Sequence, residues 1–537
     1  MAETVGALIL SAIGATEIAS VAVVGSVTVA TVVGTAALIG ASIGLQYALA
    51  AGNRGDTPKP EEGSQPLKQA IPPRIKGYGT NRLAGYYMLF EAHGNPPATA
   101  YMVCALHQGR ISAYRGFYLH DDALTMNLDI THGGVSQVAP WDSHGRYQNV
   151  QFEVFLGAAS QTASVQLTSS GSAIPGIWST DHRGDGVANM VVICGGDADP
   201  KNFSNSYPHN LPVPSAICDC ALIWDPRDPA QSRTNPATWT FSKNPVLQLI
   251  DYLTSDEGGL GLDYATVIAP NLAAWMVEAN LCDQAVFTAT PGVQEPRYQS
   301  NGWFTYDNTP ADIIGGILAT CDGWLGETGD GALALVVGVY RAPTDPPITE
   351  KHIVGFALSY GQADEQLINQ LDISYTDPAQ NYVTVAANPW RDEASISAVG
   401  EAKPKPLELK WVHSYTQARR LADRAMQRLN PRLTGSFSTT LYGLRYLGRR
   451  WVPIKYPFVS GLQDNVVEIQ SAEVDLKRGR ITWQFSLIAT SEIEAFDPGT
   501  DANTPPVVPP VIPQVRLLRE DTTPLAREDG SFYMREA

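Results

Sequence analysis

The chain has little charge, and positive charge is the scarcer kind. Charged residues make up 17% of its 537 residues, and 54 acidic side chains outnumber 37 Lys and Arg, so the formal net charge is −17. A groove built for a phosphate backbone needs a basic face, and we find no run of Lys and Arg with interleaved aromatic residues. The composition therefore argues against nucleic-acid binding as a primary task.

Cysteines are also few. There are six, and only Cys218 and Cys220 lie close together. One C-x-C without a second pair is a weak metal signal, so we interpret the cysteines as small buried side chains of a reducing compartment. Two other polar groups could suggest metal sites, but their spacing is more typical of turns and strands: Asp181, His182, Asp185, Asp197 and Asp199, and His107, His120, His132 and His144.

Catalytic motifs are missing as well. The sequence contains no P-loop, no H-E-x-x-H and no G-x-S-x-G, and nothing singles out one pair among its many acids for sugar hydrolysis. We therefore predict no catalytic residue, no metal and no cofactor. A cell-wall (peptidoglycan) hydrolase with acids between residues 74 and 240 stays open as an alternative.

What the sequence does have is one long uncharged segment near its start. Residues 18–50 contain no formal charge, thirteen Val, Ile and Leu, and eighteen Ala, Gly, Ser and Thr. The length suffices for one membrane span, but so many small residues make insertion marginal. Gly40 and Gly44 have the small-xxx-small spacing that lets helices approach closely. We predict a helix made for contact with other helices, and a membrane-anchored cellular protein is the alternative. No basic n-region precedes it, so we do not expect a secretory signal.

The rest of the chain predicts an α+β fold that is mainly β, with β-barrel-like or sandwich domains, a small helical-plus-strand domain and an apolar N-terminal helix. The expected divisions are an apolar segment (1–51), a linker (52–73), a β-rich domain (74–243), an α/β domain (244–350), a second β-rich domain with one helix (351–490), and a proline-rich spacer with a repeated tail (491–537). "LAGYYMLFEA" (83–92) is expected to be a buried strand rather than a sugar-stacking platform.

Capping signals place the helices. Asn244 and Pro245 predict a helix start, with Gly258 and Gly259 as its stop. A second helix is expected from about residue 271 to 281 and a third from Thr309. Ser414 and Gln417 have capping-box spacing and predict a helix over 415–429. A hairpin is expected over 466–489, with its turn at 477–480.

One interval carries more specific information. "WDPRDPAQSRTNPATWTFSKNPVLQLIDYLTSDEGGLGLD" (224–263) contains a D-P-R strand end, then a W-x-x-S-x-N-P motif, then a helix and a Gly-rich turn. Further elements follow in order, among them "WMVEANLCDQ" (275–284), "EPRYQSNGWF" (295–304) and "SYTDPAQNYVTVAAN" (374–388). Their order over residues 170–490 resembles the tail-tip or baseplate hub proteins of long-tailed (siphovirus-type) phages and gene transfer agents, such as the hub part of lambda's host-attachment protein. The matching motif residues are Asp225, Pro226, Arg227, Trp239, Asn244 and Pro245.

The resemblance implies a structural virion protein that is not an enzyme. Hub proteins of this family assemble as trimers below the tail tube, so the expected partners are two further copies, distal tail and tail-tube proteins, and receptor-binding or fibre proteins. Phage DNA would pass without specific binding. The expected location is the virion tail tip, after synthesis in the host cytoplasm. In a trimer, Gly25, Gly34, Gly40 and Gly44 could pack three apolar helices around the channel, and residues 5–50 could meet the host membrane. A segment that only pins the trimer is equally compatible with the sequence.

Overall fold

The computed structural model describes residues 38–39, 72–93, 99–138, 150–168, 177–195, 207, 211–361, 367–490, 494–502, 515–516 and 534–535. Contacts divide the chain into two units, residues 1–503 and 504–537. The first described strand, β1 (Leu38–Ile39), pairs antiparallel with residues 471–472. The remainder of the predicted apolar segment, including Gly25, Gly34, Gly40 and Gly44, lies outside the described residues, so its helix stays a prediction.

In its described residues, the first large region consists of strands and one short helix. Its elements are β2 (Ile75–Tyr78), β3 (Thr80–Leu83), β4 (Tyr86–His93), β5 (Thr99–Gln108), β6 (Ile111–Leu119), β7 (Asp122–Ala123), β8 (Gly134–Gln137), β9 (Val150–Leu156), α1 (Val165–Thr168), β10 (Val187–Cys194) and β11 (Pro214–Ile223). One antiparallel sheet has the order β4-β5-β10-β9-β8, and in the other β6 and β3 flank β11. The two sheets share one apolar core, as expected of a sandwich.

Strand β10 explains why part of this region is apolar without alternation. Seven of its eight residues are buried. One face packs in the shared core, and the other carries Val191 and Ile193, which join Leu167 of α1 in a second cluster. A strand covered on both faces has no solvent side to mark with polar residues.

The prediction of a buried strand over residues 83–92 is wrong in its burial. The residues do form strand β4, but it is the edge of its sheet. Met88 is 55% exposed and Phe90 is 38% exposed, whereas Tyr86 and Leu89 are buried. Local apolar content could not show that β4 would lie at the edge of the sheet as the described strands form it.

A central α/β region follows. Its elements are β12 (Thr240–Phe241), α2 (Pro245–Thr254), α3 (Tyr264–Val267), α4 (Leu272–Asp283), β13 (Ala285–Phe287), β14 (Gln294–Pro296), β15 (Gly302–Thr305), α5 (Pro310–Cys321), β16 (Trp324–Glu327), β17 (Leu333–Val336) and β18 (Ile348–Thr349). The predicted helix starts are confirmed, because Asn244 caps α2 and Thr309 caps α5 through side-chain oxygens. Helix α2 ends at Thr254, before the predicted Gly258–Gly259 stop.

The chain then alternates between two further sheets. Its remaining elements in the first unit are β19 (Ile353–Tyr360), β20 (Gln370–Asp377), β21 (Val383–Ala386), β22 (Trp390–Arg391), α6 (Glu393–Val399), β23 (Pro404–Leu409), α7 (Tyr415–Leu429), β24 (Leu433–Thr440), β25 (Trp451–Lys455), β26 (Asn465–Asp475) and β27 (Arg480–Leu487). Strands β20 to β23 form a small sheet that packs with α7 in the central core. The predicted helix over 415–429 is confirmed, and so is the hairpin β26–β27.

Strands β18, β25, β26, β27, β24 and β19 lie in that order in the last sheet. Because β18 and β19 are only three residues apart in sequence yet lie at opposite ends of this order, the sheet must curl until its ends meet. Phe356 of β19 and Tyr456, which follows β25, have ring centroids 4.9 Å apart across that seam. Curling places the apolar residues of the sheet around a separate core.

The predicted fold class, α+β and mainly β, is confirmed. Three cores dominate the first unit, and the central one takes residues from Tyr78 to Ala502. In the second unit, β28 (Val515–Arg516) pairs antiparallel with β29 (Met534–Arg535). None of the helices in the described parts of the chain is both long and apolar enough to cross a membrane. The domain divisions proposed from the sequence stay predictions.

Candidate functional site

Three of the motif residues that carry the resemblance form one compact structure with the end of helix α4, which we call the clamp: Asp225, Arg227 and Asn244. Asp225 follows β11, and its carboxylate accepts three hydrogen bonds from Arg227: from the backbone N–H (2.9 Å), from Nε (2.9 Å) and from Nη2 (2.7 Å). Burial alone would raise the pKa of Asp225, but these bonds to Arg227 outweigh it and lower the pKa. The carboxylate is therefore ionised and held by Arg227.

Arg227 carries the clamp to helix α4. Its Nη1 donates to Asn280 Oδ1 at 2.9 Å and lies 2.8 Å from an Asp283 carboxylate oxygen. The two carboxylates raise the pKa of Arg227, with the hydrogen bond to Asp225 as the largest cause. Lysine could not replace this geometry, since only a guanidinium offers several donors in one plane.

Asn244 makes the second connection to the same helix. Its Oδ1 accepts from the Val246 N–H at 3.0 Å, which caps α2, while its Nδ2 donates to the Ala279 carbonyl at 2.8 Å. Pro245 occupies the first helical position, where a missing N–H costs nothing. The N-P motif thus starts α2 and also holds the N-terminus of α2 against α4.

Trp239 and Pro226 contribute differently. The Trp239 indole N–H donates to the Ser232 carbonyl at 2.9 Å and closes the loop between β11 and β12. Pro226 is half-buried between Asp225 and Arg227, and we find no further role for it. Beside this loop lies a cleft of about 210 Å³ whose lining includes Trp224, Trp239, Asp251 and Asp256. Asp251 is already engaged by Lys76 Nζ (2.8 Å) and the Tyr78 hydroxyl (2.7 Å).

A second ionic cluster, which we call the buried network, is not visible in the motifs. Its six members meet where the central core contacts the last sheet, and apart from Arg424 and Arg428 on α7 they lie far from one another in sequence: Asp322, Arg424, Arg428, Arg450, Glu468 and Glu494. Asp322 is fully buried and accepts from Arg424 Nε (2.8 Å), Arg428 Nη1 and Nη2 (2.9 and 2.8 Å) and Arg450 Nη2 (3.1 and 3.0 Å).

Glu468 is the second buried anion of the network. It accepts from Arg450 Nε at 2.7 Å and from Arg428 Nε at 2.8 Å. Burial would raise the pKa of both Asp322 and Glu468, but Arg428 and Arg450 overcome it and hold both values below the usual range. Asp322 also has a left-handed backbone (φ 49°) as the residue after α5, a conformation that Asp and Asn tolerate better than most.

Other buried titratable groups are held by backbone atoms. The ring nitrogens of His107 face the carbonyl oxygens of Gly109 (3.1 Å) and Gly77 (3.3 Å), and burial lowers its pKa to about 4. Burial raises the pKa of Glu278, which accepts from the Val337 N–H at 2.9 Å and pairs with Arg341 at 2.7 Å. These contacts suit structural groups.

The cysteines are all buried with free thiols, as predicted. Burial raises the pKa of Cys220 to about 12, so its thiol is inert at neutral pH. Within the described ranges, no three or more His, Cys, Asp or Glu residues converge as a metal site.

Comparisons with known proteins show which proteins this chain is similar to. Residues 330–445 match the family model described as "Putative phage tail protein". Over 414 residues the chain is 20% identical to the "Baseplate hub protein pb3" of Escherichia phage T5; the match covers 67% of this chain and 42% of that protein. The chain therefore spans less than half the length of that relative.

The fold has a counterpart among solved structures. A chain from the "Virion of native gene transfer agent (GTA) particle" superposes with a TM-score of 0.50, covering 92% of this chain and 98% of that one at 13% identity. The predicted resemblance is confirmed. The chain therefore resembles structural proteins of the phage tail or baseplate. Such proteins are parts of the virion, so the predicted location is confirmed too.

Proposed function

We propose that this tail or baseplate protein is a homotrimeric hub that caps the tail tube, organises receptor-binding or fibre proteins, and gates DNA ejection into the host. Its further partners are distal tail and tail-tube proteins. The name of the phage T5 relative, a baseplate hub protein, supports this role. Phage DNA passes the hub without specific binding, in keeping with the acidic composition.

One observation carries the proposal: the motif residues of the resemblance are internal braces rather than reactive groups. Asp225 and Arg227 hold the end of β11 to α4, and Asn244 holds the start of α2 to the same helix. A part that joins several proteins under load needs domains that do not move against each other. The buried network adds a second rigid joint, between the central core and the last sheet.

The same contacts support a non-enzymatic role. A catalytic acid needs an open carboxyl group with a pKa tuned toward the working pH, whereas Asp225, Asp251 and Asp322 each already accept hydrogen bonds from cationic side chains. Purified protein should leave no clearing on a peptidoglycan zymogram. Clearing that disappears when a defined pair of acids is replaced would establish the hydrolase instead.

Residues 5–50 are proposed to act at the channel of the trimer. Three copies of the segment, with Gly25, Gly34, Gly40 and Gly44 at the contacts, would plug or line the channel in the intact particle and meet the host membrane after attachment. Pinning the trimer without lipid contact is the alternative. Particles that lack residues 5–50 should adsorb but fail to deliver DNA, and normal delivery would contradict the channel role.

The hub proposal is tested in particles. A strain that produces the particles should carry the gene with an affinity tag after residue 537, and purified particles should contain three copies each at the distal end of the tail by cryo-electron microscopy. A deletion strain complemented with the wild-type gene is the control. Tails of normal morphology without this protein, or a copy number other than three, would overturn the homotrimeric hub.

A further inference from the structure

The end of helix α7 and part of the last sheet form a stretch of sequence that is rich in positive charge, unlike the acidic chain as a whole. Residues 424–463 contain seven Lys and Arg and no Asp or Glu, in a chain with 54 acids. Part of this charge is buried in the network, through Arg424, Arg428 and Arg450. Of the remainder, Arg432, Arg445 and Lys455 are exposed, whereas Arg449 pairs with Asp345 at 3.4 Å.

Two turns bring Arg445 of this segment together with Lys477 and Arg480 at one end of the sheet. Thr440, the last residue of β24, pairs with Arg480, the first residue of β27. Gly479 faces Leu441 closely enough that an added Cβ would lie 3.9 Å from the Leu441 Cγ atom. The turn after β24 and the turn between β26 and β27 therefore form one surface, which we call the basic end.

The basic end combines cations with aliphatic side chains. Leu441 and Leu444 are each 43% exposed, and Leu476 is 62% exposed. Arg445, Lys477 and Arg480 are exposed beside them, and the described residues offer none of these three an ion-pair partner. Arg478 is partly neutralised by Asp475, 3.7 Å away. Exposed leucines ringed by charge are the pattern of a protein contact rather than of free surface.

The opposite pattern occurs on the first sheet region. Residues 116–145 contain no Lys or Arg, and the loop around β7 carries Asp121, Asp122 and Asp129. Leu128 in this loop is 64% exposed, and the Asp121 side chain is 81% exposed although it touches buried Arg82. We call residues 120–129 the acidic loop.

We propose that the basic end of one copy of this chain docks on the acidic loop of the next copy. The two surfaces have opposite charge and each presents leucine, and both are solvent-exposed in the single chain, so neither covers the other. A contact between two different surfaces is heterologous and closes into a ring when the rotation is right. The inference rests on the proposed homotrimer and names the faces that join its copies.

Electrostatics favours these faces for self-association. Two copies that each carry a net charge of −17 repel, but at physiological salt charges farther apart than about 8 Å are largely screened. Local complementarity then decides which faces meet. The cations of the basic end therefore attract the acidic loop of a second copy.

Charge reversal tests the contact in the full chain. The change Arg445→Glu with Lys477→Glu and Arg480→Glu should weaken trimer association about tenfold or more, measured by sedimentation velocity from 0.1 to 50 µM at 0.15 M NaCl. The reciprocal change Asp122→Lys with Asp129→Lys should do the same, and the combined protein should regain part of the loss. Arg110→Glu with Arg183→Glu and Lys410→Glu is the matched control, because it alters the net charge equally at exposed sites elsewhere.

Cross-linking tests the partner directly. All six native cysteines are buried, so Leu444→Cys in one copy and Leu128→Cys in another introduce the reactive thiols. Mixing the two proteins should yield an inter-chain disulfide, whereas pairing Leu444→Cys with Ile177→Cys, which replaces another exposed residue, should not.

Three results would overturn the inference. A wild-type chain that stays monomeric at 50 µM would do so, although incorporation into particles would leave the hub role standing. A trimer that is insensitive to both reversals would place the contact elsewhere. A monomer whose basic end binds vesicles of phosphatidylglycerol but not phosphatidylcholine would assign this surface to anionic lipid.

Discussion

The clamp and the buried network are both built from Asp and Arg, but they differ in their access to water. In the clamp, the side chains of Asp225 and Arg227 are 20% and 21% exposed. In the network, Asp322 and Arg450 are completely buried. Water can replace a lost partner in the clamp, whereas in the network it cannot.

An ion pair between Asp and Arg therefore has different consequences in the two clusters. A partly exposed pair adds modest stability and fixes the direction of a loop. A fully buried pair need not stabilise the fold more than apolar residues of similar volume would, but removing one of its members leaves a charge stranded. Losing one member of the network should therefore strongly destabilise the joint between the central core and the last sheet. Losing one member of the clamp should cost less, because water can replace it.

Breaking the network should have the largest effect. Asp322→Asn keeps the shape and the left-handed backbone of the residue but leaves Arg424, Arg428 and Arg450 with one buried anion fewer. We expect the free energy of unfolding to fall by about 3–5 kcal/mol, measured by urea unfolding of the full chain at pH 7. Asp330→Asn, in an exposed turn, is the control and should change it by about 0.5 kcal/mol or less. A loss below about 1 kcal/mol in Asp322→Asn would contradict the stranded-charge argument.

Arg227→Lys should break the clamp at much lower cost. Lysine keeps the charge but loses the fork that holds Asp225 while reaching Asn280 and Asp283. We expect a loss of about 1–2 kcal/mol, with hydrogen exchange rising at the end of α4 rather than throughout the chain. Arg183→Lys, at an exposed pair with Asp185, should be silent. Equal losses from Arg227→Lys and Asp322→Asn would erase the proposed difference between the two clusters.

The two clusters also differ in how far the sequence could predict them. Asn244, Pro245 and Ser414 gave correct helix starts because capping depends on residues within one turn. Asp225 and Arg227 were found through the resemblance, because they lie two residues apart and form part of one short sequence motif. The network joins residues between 322 and 494 that lie on or beside α5, α7, β25 and β26. No local sequence pattern predicts which buried arginine will face which acid.

Gln417 shows the same limit of sequence-based prediction within one motif. Its spacing from Ser414 predicts a capping box, and the Ser414 hydroxyl does accept from the Gln417 N–H at 3.1 Å. The Gln417 side chain, however, donates to the carbonyls of Gln299 (2.9 Å) and Thr320 (2.7 Å). The capping box expects a solvent-exposed first turn, and here tertiary carbonyls compete successfully for the amide.

Acidification offers the finest test of the comparison. The folded pKa of Asp322 is lowered, so its carboxylate contributes fully above the unfolded value of about 3.9, and the contribution declines as the pH falls through that value toward the lower folded pKa. The difference in stability between wild type and Asp322→Asn should therefore be constant from pH 7 to 5 and shrink by about 1 kcal/mol at pH 3. The same measurement on Arg227→Lys should show a smaller change, because Asp225 keeps its backbone donor and its contact with water. A difference that grows on acidification would mean that Asp322 is protonated in the folded protein, and the anions that hold the network would then be Glu468 and Glu494.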